Sequence, residues 1–349
     1  MDDHGSLSAN SVEAAAGRIV RYVHRTPVLH CASLDELAGR RLYMKAENQQ
    51  RVGAFKARGA FNALLSMGAA ARHSGVLTVS SGNHGQAVAL AARVLGGHAV
   101  VVMPADATPV KVRAVEALGA RVVAEGVTQA NREEAVRRLQ SETGLPVVHP
   151  FDDLRVMAGQ GTVGLELTQQ CQGLDAVVVP VGGGGLISGI ATIIKDRWPK
   201  TLVVGVEPKG ADDAARSLRT GTRVSLESAP DTVVDGVRSL TIGERPWEVI
   251  RELVDDIVTV DDEQTLRAME LLWTRAKTVV EPAGALALAA VLAGKVRGGD
   301  VGLVLSGGNV DLDWWAAHRV RSASGLEAES GAVPVPPAGG GGPGDSGYS

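Results

Sequence analysis

The chain has 349 residues, 45% of them hydrophobic but only 3% aromatic, with a net charge of −4. Its basic residues are scattered rather than banded, which excludes a nucleic-acid surface, and two cysteines, Cys31 and Cys171, make no disulfide framework. No apolar run reaches the ~18 residues of a membrane span and Met-Asp-Asp-His is no leader, so a soluble cytoplasmic protein with no membrane partner is expected.

In chain order, 76–80 reads as a strand, followed by a helix over 86–95. A strand at 99–103, a helix at 110–118, a strand at 121–124, a helix at 131–142 and a strand at 146–149 complete one compact βα unit. A second series follows. It has helical spacing over 157–170, a wholly apolar strand at 176–180, a glycine loop and a helix over 186–196. Further strands fall at 202–206, 257–260 and 301–305. Asp261 is placed to cap a helix running to Arg275, because its side-chain oxygen can accept a free backbone N–H. Continuous apolar strands between helices imply a parallel sheet covered on both faces. The expected division is a small inserted domain, 74–151, within a large domain built from 1–73 and 152–321, with the active site in the cleft between them. The stretch 322–349 is rich in Gly, Pro and Ser. It buries too little apolar surface to offset its ordering entropy, and reads as a disordered tail.

Four motifs carry chemistry. Lys56 lies in Gly53-Ala54-Phe55-Lys56-Ala57-Arg58-Gly59-Ala60. A nucleophilic amine must lose its proton easily, and burial beside Phe55 favours the neutral form. Alone, the run equally describes an exposed lysine opening a helix, with Arg58 an ordinary neighbour. Ser80-Ser81-Gly82-Asn83-His84-Gly85-Gln86 joins a strand to a helix, and its N–H groups suit a carboxylate; a plain helix cap is the other reading. Gly182, Gly183, Gly184 and Gly185 follow an apolar strand and open a helix. Without Cβ atoms, backbone N–H groups can approach an anion, and the helix N-terminus adds a favourable field. No dinucleotide or Walker-type fingerprint fits the chain, and a tight turn needs fewer glycines. Ser306 follows strand 301–305 and offers a hydroxyl that can bond a pyridine nitrogen without protonating it, although a simple loop serine would look the same. In this order the four motifs read as a pyridoxal phosphate (PLP) site with Lys56 as its Schiff-base lysine. In Glu207-Pro208-Lys209-Gly210-Ala211-Asp212-Asp213, two carboxylates and a backbone carbonyl could ligate a hard divalent cation, or form a polar turn. His149-Pro150-Phe151-Asp152-Asp153 receives no chemistry from spacing alone.

This ordered set resembles the fold-type II PLP enzymes, specifically the serine/threonine dehydratases and eukaryotic-type serine racemases. The likeness runs from Thr26-Pro27-Val28 to Asn309-Val310-Asp311. It takes in Ala158-Gly159-Gln160-Gly161-Thr162, Asp235-Gly236-Val237 and Glu281-Pro282-Ala283-Gly284. The resemblance implies an α/β fold of the tryptophan synthase β-like type, with two parallel-sheet-centred αβα lobes and the active site between them. It implies that Lys56 carries PLP and is the base on one face of the substrate Cα, with Phe55 beside the ring. Asn83 would bond the phenolic oxygen, and Ser306 the pyridine nitrogen. Gly182, Gly183, Gly184, Gly185 and Leu186 would hold the phosphate. Ser81, Asn83 and His84 would bind the substrate carboxylate, and Ser81 also matches the opposite-face base of the racemases. Glu207, the Ala211 carbonyl and Asp213 match a divalent-cation site, for Mg or Ca. The implied activity is β-elimination of water from L-threonine or L-serine, giving a 2-oxo acid and ammonia. Serine racemisation and threo-3-hydroxyaspartate dehydration are the alternatives, and a homodimer is expected. Ala54 leans toward the racemase and hydroxyaspartate branch, whereas Phe151 is more dehydratase-like. No regulatory domain follows Asp311, so isoleucine feedback is not expected.

Overall fold

The computed structural model describes residues 5–80, 82–107, 109–128 and 131–322. Ser81 and the expected tail beyond 322 lie outside them. The chain forms two compact units, Met1–Val310 and Asp311–Ser349.

The first unit begins with α1 (Ala9–Ile19), β1 (Val28–Leu29), α2 (Ala32–Ala38), β2 (Arg41–Lys45), α3 (Lys56–Leu65) and α4 (Ala69–Ser74). Next come β3 (Val76–Val79), α5 (Asn83–Val94), β4 (Ala99–Val102), α6 (Pro109–Glu116), β5 (Arg121–Val123) and α7 (Arg132–Thr143). Then follow α8 (Leu154–Gln170), β6 (Ala176–Pro180), α9 (Gly185–Arg197), β7 (Leu202–Pro208) and α10 (Asp213–Thr220). The unit closes with α11 (Glu244–Leu253), β8 (Asp256–Val260), α12 (Asp262–Thr274), α13 (Pro282–Leu292) and β9 (Asp300–Val304). In the second unit, the described residues include one helix, α14 (Leu312–Ser322).

β1-β2-β9-β6-β7-β8 form one sheet, parallel throughout except for the antiparallel β1–β2 pair. β3-β4-β5 form a second, wholly parallel sheet. Every residue of β6 is buried although successive side chains point to opposite faces, so both faces are covered. α9 and α13 both pack on β6 and β7. A separate apolar cluster gathers Ile19 of α1, Phe61 and Leu64 of α3, Val88 of α5 and Val101 of β4.

Asp261 caps α12 as its sequence suggests, in a capping box closed by Gln264. The expected strand at 146–149 shrinks to a single bridge, Leu77 to Val147. Pro146 has no N–H to give, and the turn at Pro150 ends the pairing at once. α13 has no apolar stripe to detect, because ten of its residues, from Pro282 to Val291, are all buried.

Glycines set how closely three helices approach. A Cβ on Gly159 of α8 would lie 2.6 Å from the Arg58 carbonyl and from Gly59 Cα in α3. A Cβ on Gly189 of α9 would lie 2.5 Å from the Gly161 nitrogen. Ala158-Gly159-Gln160-Gly161-Thr162 is therefore where α8 draws α3 and α9 together, and Gln160 Oε1 accepts the Gly59 N–H at 3.1 Å.

Arg58 is not a solvated neighbour of Lys56 but a wholly buried guanidinium. Its Nε donates to Glu47 Oε2 at 2.7 Å and its Nη1 to Glu166 Oε1 at 2.7 Å, while Nη2 reaches Glu47 Oε1 at 2.8 Å and Glu166 Oε2 at 2.9 Å. Lys45 Nζ donates to Glu166 Oε2 at 2.6 Å and to the Thr26 carbonyl at 2.7 Å. Removing one partner of such a group strands charge in the interior. Arg58→Met should therefore cost about 3–5 kcal/mol, read as a lower denaturant midpoint at constant m. An unchanged midpoint would show that the network carries no stability.

Candidate active site

The turn ahead of Lys56 is built by pairing with the segment after β9. The Phe55 N–H donates to the Ser306 carbonyl at 3.1 Å, Ala54 bridges Gly307, and the Gly308 N–H donates to the Gly53 carbonyl at 2.8 Å. Val52 (φ 54°) and Gly53 (φ 69°) reverse the chain in the left-handed region. A β-branched residue is strained there and persists only where its surroundings impose the conformation. One constraint is Asn309, whose Nδ2 donates to the Val52 carbonyl at 2.6 Å.

Lys56 opens α3. Its Nζ donates to the Pro150 carbonyl at 2.9 Å and lies 5.1 Å from the Phe55 ring centroid. Burial pulls the amine down to about 8, against an opposing pull from Glu281. Little free energy then separates it from the neutral, nucleophilic form.

The next residue, Phe151, supports the glycine loop. A Cβ on Gly183 would overlap its ring, and one on Gly185 would lie 3.0 Å from its Cα and carbonyl oxygen. On the loop's other side, a Cβ on Gly182 would lie 3.1 Å from Val237 Cα, and one on Gly184 (φ 88°) would lie 2.8 Å from Pro246 Cβ. The four glycines let the surrounding chain close on the loop while the N–H groups of α9's first turn, which includes Leu186, stay without helical partners. His149 Nδ1 secures the approach by accepting the Asp152 N–H at 2.8 Å. β6 and β9 are neighbours in register, Val178 beside Leu303. The glycine loop and the buried Ser306 therefore leave the same edge of the sheet, at the carboxyl ends of its strands, where ligands of open α/β sheets bind.

A second helix end faces the lysine. α5 starts at Asn83, and Asn83 Nδ2 donates to Glu281 Oε1 at 2.8 Å. His84 is buried, and its Nε2 lies 3.2 Å from the Val148 carbonyl. Burial, reinforced by Lys56, pushes its ring to about 3, so the imidazole is neutral. With the proton on Nε2, the buried Nδ1, which has no partner among the described residues, is an acceptor. The ring thus offers a carboxylate no donor, whereas the His84 main-chain N–H in the first turn does.

Glu207, Ala211 and Asp213 form a separate cluster at the end of β7. Glu207 Oε1 and Oε2 accept the N–H groups of Ala214 and Ala215 at 3.1 and 2.8 Å. Burial, with Asp213 nearby, pushes Glu207 well above the usual carboxylate range, and burial raises Asp213 to about 7. Asp213 Oδ2 is buried without a hydrogen-bond partner among the described residues. No group of three or more His, Cys, Asp or Glu residues with metal-binding placement occurs among them.

A desolvated lysine between two anion-binding helix ends, with a glycine cradle and a buried serine beside it, fits pyridoxal phosphate. The chain belongs to the pyridoxal-phosphate dependent enzymes, whose family model matches residues 19–307. Within that family it is a fold-type II member of the serine/threonine dehydratase and racemase group. It is 45% identical over 309 residues to a serine racemase of Arabidopsis thaliana, covering 86% of this chain and 93% of the relative. It is 43% identical over 304 residues to an L-threo-3-hydroxyaspartate ammonia-lyase of Saccharomyces cerevisiae, covering 86% and 93%. The crystal structure of a threonine deaminase from T.th. superposes with a TM-score of 0.84 at 52% identity, covering 87% of this chain and 99% of that one.

Pro150, Glu281 and Asn309 stand against Lys56 and Asn83; Asn309 closes the motif Ser306-Gly307-Gly308-Asn309 and Glu281 lies in the resemblance, yet none of the three received a role of its own from the sequence. Glu281 left one trace, a lone carboxylate ahead of a proline and an unbroken apolar run. If Lys56 is the amine that captures the cofactor it must be neutral to do so, and capture by stripped protein should then speed up as pH rises, reaching half its maximal rate near about 8. Stopped-flow absorbance across the neutral to alkaline range reads this directly, and a flat profile would contradict it.

Proposed function

We propose that this chain eliminates water from 3-hydroxy-L-amino acids in a PLP-dependent reaction, releasing a 2-oxo acid and ammonia, with L-threonine and L-serine as favoured substrates. The observation that carries the reading is the Lys56 amine, bonded to the Pro150 carbonyl directly before Phe151, whose ring packs on the glycine loop that opens α9. When bound, PLP supplies the electron sink for the pair left as Cα loses its proton. Lys56 holds the cofactor and takes that proton. Gly182, Gly183, Gly184, Gly185 and Leu186 bind its phosphate through main-chain N–H groups. Phe55 packs against its ring, Ser306 meets its pyridine nitrogen and Asn83 its phenolic oxygen. The substrate carboxylate is held by Ser81, Asn83 and the His84 N–H. The same reading divides the chain into a small domain at 74–151 and a large domain from 1–73 and 152–321, and includes a cytoplasmic homodimer. Among the described residues, no helix is long and apolar enough to cross a membrane.

The names of the relatives favour a second reading, serine racemisation or threo-3-hydroxyaspartate dehydration, with Ser81 as the base on the opposite face. Release of 2-oxo acid from L-serine, L-threonine and threo-3-hydroxyaspartate separates the readings. No release from any of the three would remove the lyase reading. Lys56→Ala should lower turnover by at least ~1000-fold, whereas Ser81→Ala should remove racemisation and spare more of the elimination. Equal loss of both activities would argue against a face-specific Ser81.

The same proposal includes a divalent cation, Mg or Ca, on Glu207, the Ala211 carbonyl and Asp213. Two neighbouring carboxyl groups whose charged forms burial disfavours, and the partnerless Asp213 Oδ2, support it. Excess magnesium should raise the thermal midpoint above that in chelator, and Asp213→Asn should abolish the difference. Identical wild-type midpoints would exclude an occupied site.

A further inference from the structure

The Asn83 amide is fixed at both of its ends. Nδ2 donates to Glu281 Oε1 at 2.8 Å, and Oδ1 accepts from Asn309 Nδ2 at 2.8 Å. The polarity of this chain starts at a backbone group. The Val52 carbonyl can only accept, so Asn309 must turn its NH2 group toward it, at 2.6 Å. That NH2 has a second proton, which selects Oδ1 of Asn83 as its partner. Asn83 must then present its own NH2 to Glu281. Turning the Asn83 amide over would set NH2 against NH2 at Asn309, so the Asn309 end fixes the orientation. One N–H of Asn83 is left over for a ligand.

Glu281 is itself clipped into place. Its N–H donates to the Gly307 carbonyl at 3.0 Å, and a Cβ on Gly307 would overlap Glu281 Oε1 and lie 3.2 Å from Asn83 Nδ2. Only glycine leaves room there for the carboxyl group to reach Asn83. Burial, with Asp235 adding to it and the Asn83 hydrogen bond, Lys111 and Lys56 opposing, pushes Glu281 to about 8. The neutral acid still offers an oxygen to Asn83.

We propose that Glu281 and Asn309 are positioning residues that act through Asn83, aiming its remaining N–H at the ring oxygen of bound PLP. The inference rests on the Asn83 contact in the proposed function. It adds a link from that contact, through Asn309, to the strained Val52 turn that sets Lys56 in place. A hydrogen bond from Asn83 favours the ionised ring oxygen, which absorbs in the visible. Loss of its aim shifts absorption to the ultraviolet and weakens cofactor binding.

The test titrates PLP into stripped full-length wild type, Lys56→Ala, Glu281→Ala, Glu281→Gln and Asn309→Ala, reading the dissociation constant and the absorption spectrum. Glu281→Ala and Asn309→Ala should each weaken binding about ten-fold and lose much of the visible band. Glu281→Gln keeps an acceptor oxygen in the same place and should stay within about two-fold of wild type with its spectrum intact. Wild-type binding and spectra in Glu281→Ala and Asn309→Ala would overturn the inference. So would a lower unfolding midpoint of the stripped variants with an unaltered bound spectrum, because that is a structural role only. If wild type gains no visible band that Lys56→Ala removes, the proposed function and the inference fall together. If that band appears but does not respond to Glu281 or Asn309, only the inference falls.

Discussion

The site depends first on a buried guanidinium. Arg58 satisfies Glu47 and Glu166 from one planar group, and Lys45 completes the charge balance around Glu166. Taking these charges out of water costs much of what their attraction returns, so the network is a poor source of net stability. Its yield is register. Glu47 follows β2, Arg58 lies in α3 and Glu166 in α8, and a bidentate fork accepts both carboxylates in one geometry only. Lys56 is two residues before Arg58, so fixing the guanidinium fixes the start of α3. The glycine contacts of α8 with α3 and α9 do the complementary work, bringing the lysine's helix and the glycine-loop helix against the same neighbour.

The electrostatics then follow from what surrounds the amine. Two helix N-termini supply unpaired N–H groups, and the nearby carboxyl, Glu281, is pushed by burial to about 8. The region lacks negative charge at neutral pH and presents donors at two ends. A ligand with an anionic group at each end meets both, and the Lys56 amine, brought down by burial to about 8, lies near them. Pro150 and Phe151 tie the arrangement together. The Pro150 carbonyl holds Lys56 Nζ and the Phe151 ring fills the space that side chains would take on the glycine loop.

Much of this was legible in the sequence because its signals are local. Four successive glycines after an apolar strand, and Asp261 before a helical run, state their backbone conformation without help from distant residues. The parallel strands from 176 to 304 declared themselves by composition. The remainder depended on partners far away in the chain. Arg58 reads as a surface residue until Glu47 and Glu166 fold around it. Ala158-Gly159-Gln160-Gly161-Thr162 is only a stretch of the resemblance, with no role, until α3 and α9 are found packed against its glycines. The His149-Pro150-Phe151-Asp152-Asp153 run had no assignable role, because its work is to brace Lys56, the glycine loop and, through Asp152, the N–H groups of Glu244 and Arg245. α13 escaped because a helix buried all round has no period to find. Ser81 belongs to the turn read from the sequence, its role as a base came from the resemblance alone, and it lies outside the described residues.

The choice between the two proposed reactions, elimination and racemisation, turns on a competition that the proposed role of Ser306 would bias. Both proposed reactions begin when Lys56 takes the Cα proton. They diverge according to whether the β-hydroxyl departs before a proton returns to the opposite face. In the proposed arrangement a serine hydroxyl at the pyridine nitrogen, in place of a carboxylate, would leave the ring uncharged and able to hold the electron pair only weakly. Weak holding shortens the time available for a proton to arrive and favours expulsion of the leaving group. In that proposed place Ser306 would tilt the chemistry toward the lyase, and racemisation would compete only as far as the opposite-face donor is already in place when the first proton leaves.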